Sequence, residues 1–314
     1  MALSGIVLVT GGAGFIGSHL AEALVSSGAR VRVLDNLSTG RLENLEPISA
    51  KIDFIKGDLA DEATVRRAVE GVEVAFHEAA LPSVPRSVAN PRETHLACVE
   101  GTFNLLLAAK EEGVRRLIYA ASSSAYGDQP TLPKTELMRP EPLSPYAAAK
   151  LVGEYYCQVF TRTYKFETIC LRYFNVFGPR QDPSSPYSGV VSRFMDALMK
   201  GERPVIYGDG EQTRDFTYIS NAIDANMLAA EADKGIGEAI NIANGEQVAI
   251  NRLFELVRQI AGRSDIEPKY KAARTGDILH SLADIGRARE LLGYVPSVGL
   301  TQGLQATVEW FKRA

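Results

Sequence analysis

Cysteine is scarce in this chain of 314 residues: Cys98, Cys157 and Cys170 are the only three, widely spaced and without a CxxC pair. That spacing encodes neither a disulfide framework nor a zinc site. The four histidines, His19, His77, His95 and His280, form no HExxH or related pattern, so no metal is expected. An excess of one charge is missing too. Lys and Arg number 34 against 38 Asp and Glu, a net charge of −4, and the two signs are interspersed. A nucleic-acid binder needs a basic stripe to neutralise phosphates, so that class is excluded. Near the N-terminus the longest apolar run is Ile6 to Val9, too short for a signal-peptide core or a membrane span. A cytoplasmic protein that engages no membrane is the expectation. What is present is an ordinary globular composition, 46% hydrophobic and 23% charged, which permits a large core.

Along the first 175 residues, short apolar or β-branched runs alternate with stretches of helical period. Ile6–Thr10, Val31–Asp35, Asp53–Lys56, Val74–His77, Arg116–Ala120 and Thr168–Arg172 read as buried strands. Between them, Ile16–Ser27, Glu62–Val69, Leu96–Glu111 and Tyr146–Tyr164 carry apolar residues three and four apart, as helices do. Such βα alternation predicts an α/β fold, a doubly wound parallel sheet with helices on both faces. Beyond Asn175 the regularity breaks into a Pro-, Asp- and Ser-rich loop over 179–189. A helix near Val190–Met199, a strand near Val205–Tyr207 and amphipathic helices over Asn251–Ala261 and Leu304–Phe311 follow, with Asn251 expected as an N-cap. The division predicted is a domain over 1–175 and a smaller, interwoven region over 176–314, some segments of which return to the sheet.

Directly after the first strand comes Thr10-Gly11-Gly12-Ala13-Gly14-Phe15-Ile16-Gly17, which satisfies GxxGxxG through Gly11, Gly14 and Gly17. Glycines allow a tight strand-to-helix turn and let backbone N–H groups approach a pyrophosphate, at which the next helix directs its positive end. Asp35 ends the second strand, 18 residues after Gly17. A carboxylate there accepts hydrogen bonds from an adenosine ribose and repels a 2′-phosphate, so NAD is favoured over NADP. Asp58, after the third strand, is placed either to meet the adenine or to cap a turn.

Tyr146 and Lys150 are four residues apart, hence on one face of a helix. A tyrosine, with an ordinary pKa near ~10, becomes a useful base when a neighbouring ammonium stabilises the phenolate. Upstream, at the carboxyl end of the fifth strand, stands Ser122-Ser123-Ser124-Ala125-Tyr126-Gly127. Ligands of open α/β sheets bind outside the carboxyl ends of strands, so this serine cluster can share a proton with Tyr146.

These residues carry a resemblance. The glycine motif, Asp35-Asn36-Leu37-Ser38-Thr39-Gly40, the serine cluster, Tyr146-xxx-Lys150, Arg172-Tyr173-Phe174-Asn175 and Tyr207-Gly208-Asp209-Gly210-xxx-Arg214-Asp215-Phe216 resemble the extended short-chain dehydrogenase/reductase family over nearly the whole chain. Gly178-Pro179-Arg180-Gln181-Asp182-Pro183 and Arg274-Thr275-Gly276-Asp277-xx-His280-Ser281 are most similar to nucleotide-sugar 4-epimerases of the UDP-glucose and UDP-N-acetylglucosamine type.

The resemblance implies a Rossmann-type fold, bound NAD and a UDP-sugar substrate. It implies that Tyr146 takes the proton of the sugar 4-hydroxyl with help from Ser122, while Lys150 lowers the Tyr146 pKa and holds the nicotinamide ribose. Phe15, Ile16, Asn36, Ser38, Thr39, Gly40, Asp58, Leu59, Ala80 and Tyr173 would contact the cofactor. Asn175, Val190, Tyr207, Arg214, Arg274 and Asp277 would hold the UDP portion, and Ser83, Arg86, Ser124, Gly189 and Ser281 would surround the sugar. A small Ser281, where some members carry a bulky residue, leaves room for an N-acetyl group. Cys98 departs from the usual asparagine, and a thiol is a weak donor.

Dehydratases and decarboxylases of the family use carboxylates where this chain has Ser123 and Ser124, and so fit less well. A UDP-glucuronate 4-epimerase fits as an alternative, and a non-catalytic nucleotide sensor would have no need of the Tyr146–Lys150 pair. The resemblance also implies a homodimer joined through the helices Leu96–Glu111 and Tyr146–Tyr164.

Overall fold

A computed structural model describes residues 5–183, 189–273 and 278–313. Six strands alternate with helices in the first half: β1 (Ile6–Thr10), β2 (Arg30–Asp35), β3 (Ile52–Lys56), β4 (Val72–His77), β5 (Arg116–Ser122) and β6 (Glu167–Tyr173). They form a parallel sheet that is completed by Ala239–Ile242, in the order Ala239–Ile242, β6, β5, β4, β1, β2, β3. The strand order reverses between β1 and β4, which opens a crevice at the carboxyl ends of these strands.

Both faces of the sheet are covered. The helices of the first half are α1 (Phe15–Ser26), α2 (Glu62–Val69), α3 (Val84–Ala89), α4 (Pro91–His95), α5 (Gly101–Glu112) and α6 (Pro145–Tyr164). In the second half come α7 (Val190–Met199), α8 (Ile219–Glu231), α9 (Ile250–Ala261), α10 (Gly286–Leu292) and α11 (Leu300–Phe311). One core sets Leu20 and Leu24 of α1 and Ala222, Ala225 and Ala229 of α8 against Val7, Val9, Ile118 and Leu171 of the sheet. The opposite core sets Val65 of α2, Leu105 of α5 and Cys157 and Phe160 of α6 against Leu8, Ala75 and Leu117. Each fully buried aliphatic side chain stabilises the fold by about 1.5–3 kcal/mol relative to its exposed state. A third core joins α7, α9 and α11 through Phe194, Phe254 and Leu304, away from the sheet.

Several local details differ from the sequence expectation. α6 begins at Pro145, with Ser144 Oγ accepting the Ala147 N–H at 3.2 Å. The expected Leu96–Glu111 helix is a π-type turn over Leu96–Glu100 running into α5. Asn251 is not the cap of its helix: α9 starts one residue earlier behind Ala249, and Asn251 Nδ2 instead donates to the Asp209 carbonyl at 3.0 Å. The Gly208–Gly210 turn presents that carbonyl, and the bond pins the turn to α9. Among the described residues no helix is long and apolar enough to cross a membrane, and no group of His, Cys, Asp and Glu could hold a metal ion.

Candidate active site

At the crevice, Gly11 has φ +67°, a left-handed conformation that glycine adopts without strain. A Cβ on Gly17 would run into the Gly11 carbonyl and lie 2.7 Å from Gly12 Cα, so the loop closes onto α1 only with glycine there. Gly14 caps α1, leaving the N–H groups of Phe15 and Ile16 in its first turn, and the loop forms a cradle that side chains would fill. Asp35 Oδ2 accepts the Ala13 N–H at 2.9 Å and Oδ1 the Leu37 N–H at 2.7 Å. These bonds aim the carboxylate along the loop and keep lone pairs for a ribose hydroxyl. Burial pushes its pKa up, against the two backbone N–H groups.

Other expected cofactor residues follow β2, β3 and β4. Asn36 Nδ2 donates to Asp58 Oδ2 at 2.7 Å and its Oδ1 accepts the Ser38 N–H at 2.9 Å, which fixes the turn carrying Ser38 and Thr39. Asp58 also accepts the Ala60 N–H at 2.9 Å, so it caps a turn as well as facing Asn36. Gly40 sits so close to Asp35 that a Cβ would lie 2.9 Å from its carboxylate oxygens. Leu59 is buried, its carbonyl accepting from Asn104 Nδ2 at 3.0 Å, and Ala80 follows β4 half-buried. Residues beyond β6 reach back over this side: Arg180 pairs with Glu22 of α1 at 2.6 Å and Asp182 with Arg41 at 2.6 Å.

At the end of β5, Ser122 Oγ lies 2.8 Å from Ser124 Oγ and accepts the Ser124 N–H at 3.2 Å. Ser122 lies close enough to Tyr146 for its hydroxyl to favour the ionised form of the phenol. Burial raises the Tyr146 pKa above its ordinary value, nearby Cys98 and Glu78 add to the rise, and Ser122 opposes it. Lys150 is buried with its Nζ 4.4 Å from the centre of the Tyr119 ring. Burial lowers its pKa, while Cys98 and Glu78 oppose the change. Cys98 thus lies near both residues of the pair. Tyr173 donates to Glu78 Oε1 at 2.9 Å and accepts from Asn226 Nδ2 at 2.6 Å.

A cleft of about 220 Å³ opens beside these groups, lined by Ser122, Ser124, Tyr173, Asn175, Arg214 and Ser281 of the expected residues. Ser123, Tyr126, Gly127, Lys134 and Ile278 line it as well. Lys134 is buried and donates to the Gln129 carbonyl, so nothing in its Leu-Pro-Lys context marked it as part of a site. Buried Asp215 accepts backbone N–H groups of Asn244 at 3.0 Å and of Gly245 and Ala283 at 3.1 Å, tying the Ser281 segment to the wall that carries Arg214. Ser83, Arg86, Gly189, Val190 and Tyr207 are not among the cleft's lining residues. Ser83 caps α3 by accepting the Arg86 N–H at 3.0 Å, and Arg86 pairs with Glu93 at 2.5 Å. Gly189 and Val190 start α7, and Tyr207 ends the short strand Val205–Tyr207. Arg274 and Asp277 lie outside the described residues.

A glycine cradle at the sheet's switch point, an acidic residue closing β2 and a Ser-Tyr-Lys constellation over β5 define a Rossmann-type NAD enzyme. The model of the NAD dependent epimerase/dehydratase family matches residues 7–243, and the chain belongs to that family. UDP-glucose 4-epimerase of Mycolicibacterium smegmatis is 40% identical over 97% of this chain and 98% of its own. The structure of UDP-N-acetylglucosamine 4-epimerase from Methanobrevibacter ruminantium M1 in complex with UDP-N-acetylmuramic acid is 43% identical, with TM-score 0.94 and 98% of each chain covered. UDP-glucose 4-epimerase from Thermotoga maritima, solved with UDP-glucose, is 40% identical at TM-score 0.94, covering 98% of this chain and 99% of that one. The protein is therefore an NAD-dependent epimerase, an isomerase.

Proposed function

We propose that the protein interconverts C4 epimers of a UDP-hexose, and that it accepts the N-acetylated sugar. The observation that carries this reading is the placement of Tyr146 and buried Lys150 on α6 next to Ser122, which lines a cleft together with Arg214 and Ser281. NAD, held by the glycine loop and Asp35, would supply the redox chemistry as a reversible hydride acceptor. Tyr146 receives the 4-hydroxyl proton, and the Ser122 hydroxyl bridges the sugar oxygen and the phenol. A buried phenol is a poor base, and the Lys150 ammonium one helical turn along α6 favours its ionised form. A neutral 4-keto sugar would carry no tether to Tyr146, so it would be able to turn about its bond to the diphosphate, and Tyr146 would return the proton to the same oxygen with the other face presented. Arg214 offers paired donors suited to the diphosphate. Ser281, with a short side chain in the cleft wall, leaves space next to the sugar.

Residues 176–314 contribute most of the sugar-nucleotide pocket in this reading, and two copies of the chain pair through α6 and the turn before α5. Exposed Leu96, Val152, Tyr155 and Val159 form an apolar stripe suited to such a contact. Proton NMR of the protein with UDP-glucose, UDP-N-acetylglucosamine or UDP-glucuronate, without added NAD, tests the function. Appearance of the C4 epimer of the N-acetyl sugar is expected. Turnover of UDP-glucose alone would remove the role given to Ser281, and no turnover of any of the three, with NAD supplied, would overturn the reading.

A further inference from the structure

Glu78 is a carboxylic acid with one buried, unpartnered oxygen that the epimerisation chemistry leaves unused. It follows β4 directly, at the sheet's switch point, and its backbone abuts the glycine loop: a Cβ on Gly11 would lie 3.1 Å from the Glu78 carbonyl carbon. The adenosine half of a dinucleotide lies on the Asp35 side of this point, so the nicotinamide half runs over the ends of β4, β5 and β6. Glu78, Tyr173, Tyr146 and Lys150 all belong to that half.

The protonation of Glu78 is constrained by its neighbours. Asn226 Nδ2 donates to the Ala222 carbonyl at 2.9 Å, which fixes the orientation of the amide, and the same nitrogen donates to the Tyr173 hydroxyl at 2.6 Å. The Tyr173 proton is therefore free to point only at Glu78 Oε1, 2.9 Å away. An oxygen that receives such a bond is favoured as a carboxylate. Oε2 is shut off from solvent and has no hydrogen-bond partner among the described residues. Burial of an ionised group without a full set of partners is costly, and such groups in native proteins call for an explanation.

We propose that the Glu78 carboxylate is the counter-charge for the oxidised nicotinamide, so that the protein holds the oxidised cofactor in preference to the reduced one. The nicotinamide ring carries a positive charge only when oxidised, and the nearby Lys150 ammonium opposes that charge. A carboxylate beside Lys150 offsets that opposition. An enzyme that must finish each cycle with its cofactor oxidised gains from this bias. The proposal rests on NAD as the bound cofactor and not on the identity of the sugar.

Burial pushes the Glu78 carboxyl up to about 7, with Tyr173 and Lys150 opposing the rise. The preference should consequently weaken as the pH falls through neutrality. Lys150 on α6 and Tyr173 on β6 act on Glu78, Glu78 in turn acts on Tyr146 of α6, and Asn226 on α8 reaches it only through Tyr173. His77, its neighbour in the chain, is pushed down to about 3 and stays neutral over this range. Glu78→Gln keeps all of them, so a pH dependence lost in that variant belongs to Glu78.

The holoprotein is exchanged against equimolar oxidised and reduced NAD without sugar nucleotide and freed of excess by gel filtration. The retained nucleotides are then released with urea and their ratio quantified by chromatography. At high pH, Glu78→Gln should lower the retained oxidised-to-reduced ratio by about tenfold, the scale of one charge interaction in a partly screened site. The wild-type ratio should fall as the pH is lowered, and that of Glu78→Gln should stay flat. Tyr173→Phe, which removes the donor to Oε1, should move the wild-type fall to higher pH. An unchanged ratio in Glu78→Gln, or a wild-type ratio indifferent to pH, overturns the proposal. Because no sugar is present, failure to turn over the UDP-hexoses leaves this result intact.

Discussion

Glu154 of α6 and Arg172 of β6 form an ion pair with side chains 1% and 4% exposed, so removing either partner should reveal what a buried charge costs this fold. The pair is two-pronged: Arg172 Nη2 donates to Glu154 Oε1 at 2.5 Å and Nε to Oε2 at 2.9 Å. Arg172 Nη1 also donates to the Tyr126 hydroxyl at 2.8 Å, which in turn donates to Asn241 Oδ1 at 2.6 Å. Glu154→Leu leaves the guanidinium buried and uncompensated, Arg172→Met does the same to the carboxylate, and breaking such a pair from one side costs about 3–5 kcal/mol. For a chain of this size that corresponds to a melting point lower by about 5–8 °C. Replacing both partners, Glu154→Leu with Arg172→Met, removes the orphaned charge and should recover most of the loss. The residual penalty is that of the Tyr126 oxygen losing one donor, about 1 kcal/mol. Equilibrium urea unfolding of the wild type, the two single variants and the double variant completes the cycle. Single variants within about 1 kcal/mol of wild type, or a double variant whose loss equals the sum of the two, would refute the reasoning.

Three further outcomes follow from the site and its support. Tyr146→Phe should reduce turnover by at least about 100-fold, the scale of a lost acid–base group, while NAD stays bound when the protein is passed through gel filtration. If turnover survives, Tyr146 is not the proton acceptor. Gly17→Ala should abolish NAD retention, because the added carbon collides with the Gly11 carbonyl; an alanine variant that purifies with NAD would contradict that packing. His77 is held neutral by burial, its pKa pushed down to about 3, and it bridges Thr10 and Thr102 at 2.8 Å each. Since the unfolded chain binds this proton more readily than the fold, stability should be full above the ordinary value near ~6.5 and fall by up to about 1.4 kcal/mol per pH unit below it. His77→Gln should flatten that part of the profile in urea titrations at several pH values, and an unchanged slope would exclude His77 as its origin.

The strands of the nucleotide half were legible because each is a short apolar run followed by a helix of clear period, and the sheet ends fell within a few residues of those expected. Ala239–Ile242 was not singled out as a strand, since four residues with one alanine and one asparagine carry little alternation, and their place depends on the open edge of β6. Asn251 misled because a good capping residue and a good donor to a neighbouring carbonyl look alike in sequence, and Asp209 claimed it. In the site, the glycine loop, Asp35 and the Ser122–Tyr146–Lys150 set were readable from spacing. Glu78 was not, because a lone glutamate after a strand signals nothing until Tyr173, 95 residues on, donates to it. The resemblance marked Ser83 and Arg86 as sugar contacts, and here Ser83 also caps α3 while Arg86 pairs with Glu93.

The strand Ala239–Ile242 has a consequence for how the chain can be made and cut. It pairs with Cys170–Tyr173, so the sheet lacks its last member until some 70 residues beyond β6 have left the ribosome, an interval set by the pairing itself. Until then β6 presents a row of unpaired N–H and C=O groups next to a fully buried surface. A fragment ending at Asn175, the point at which the sequence changes character, would keep that edge open permanently. It would also lack α8, which covers one face of the sheet. The composition boundary is thus a poor place to divide the molecule: the two regions share a sheet, and the later one finishes the earlier.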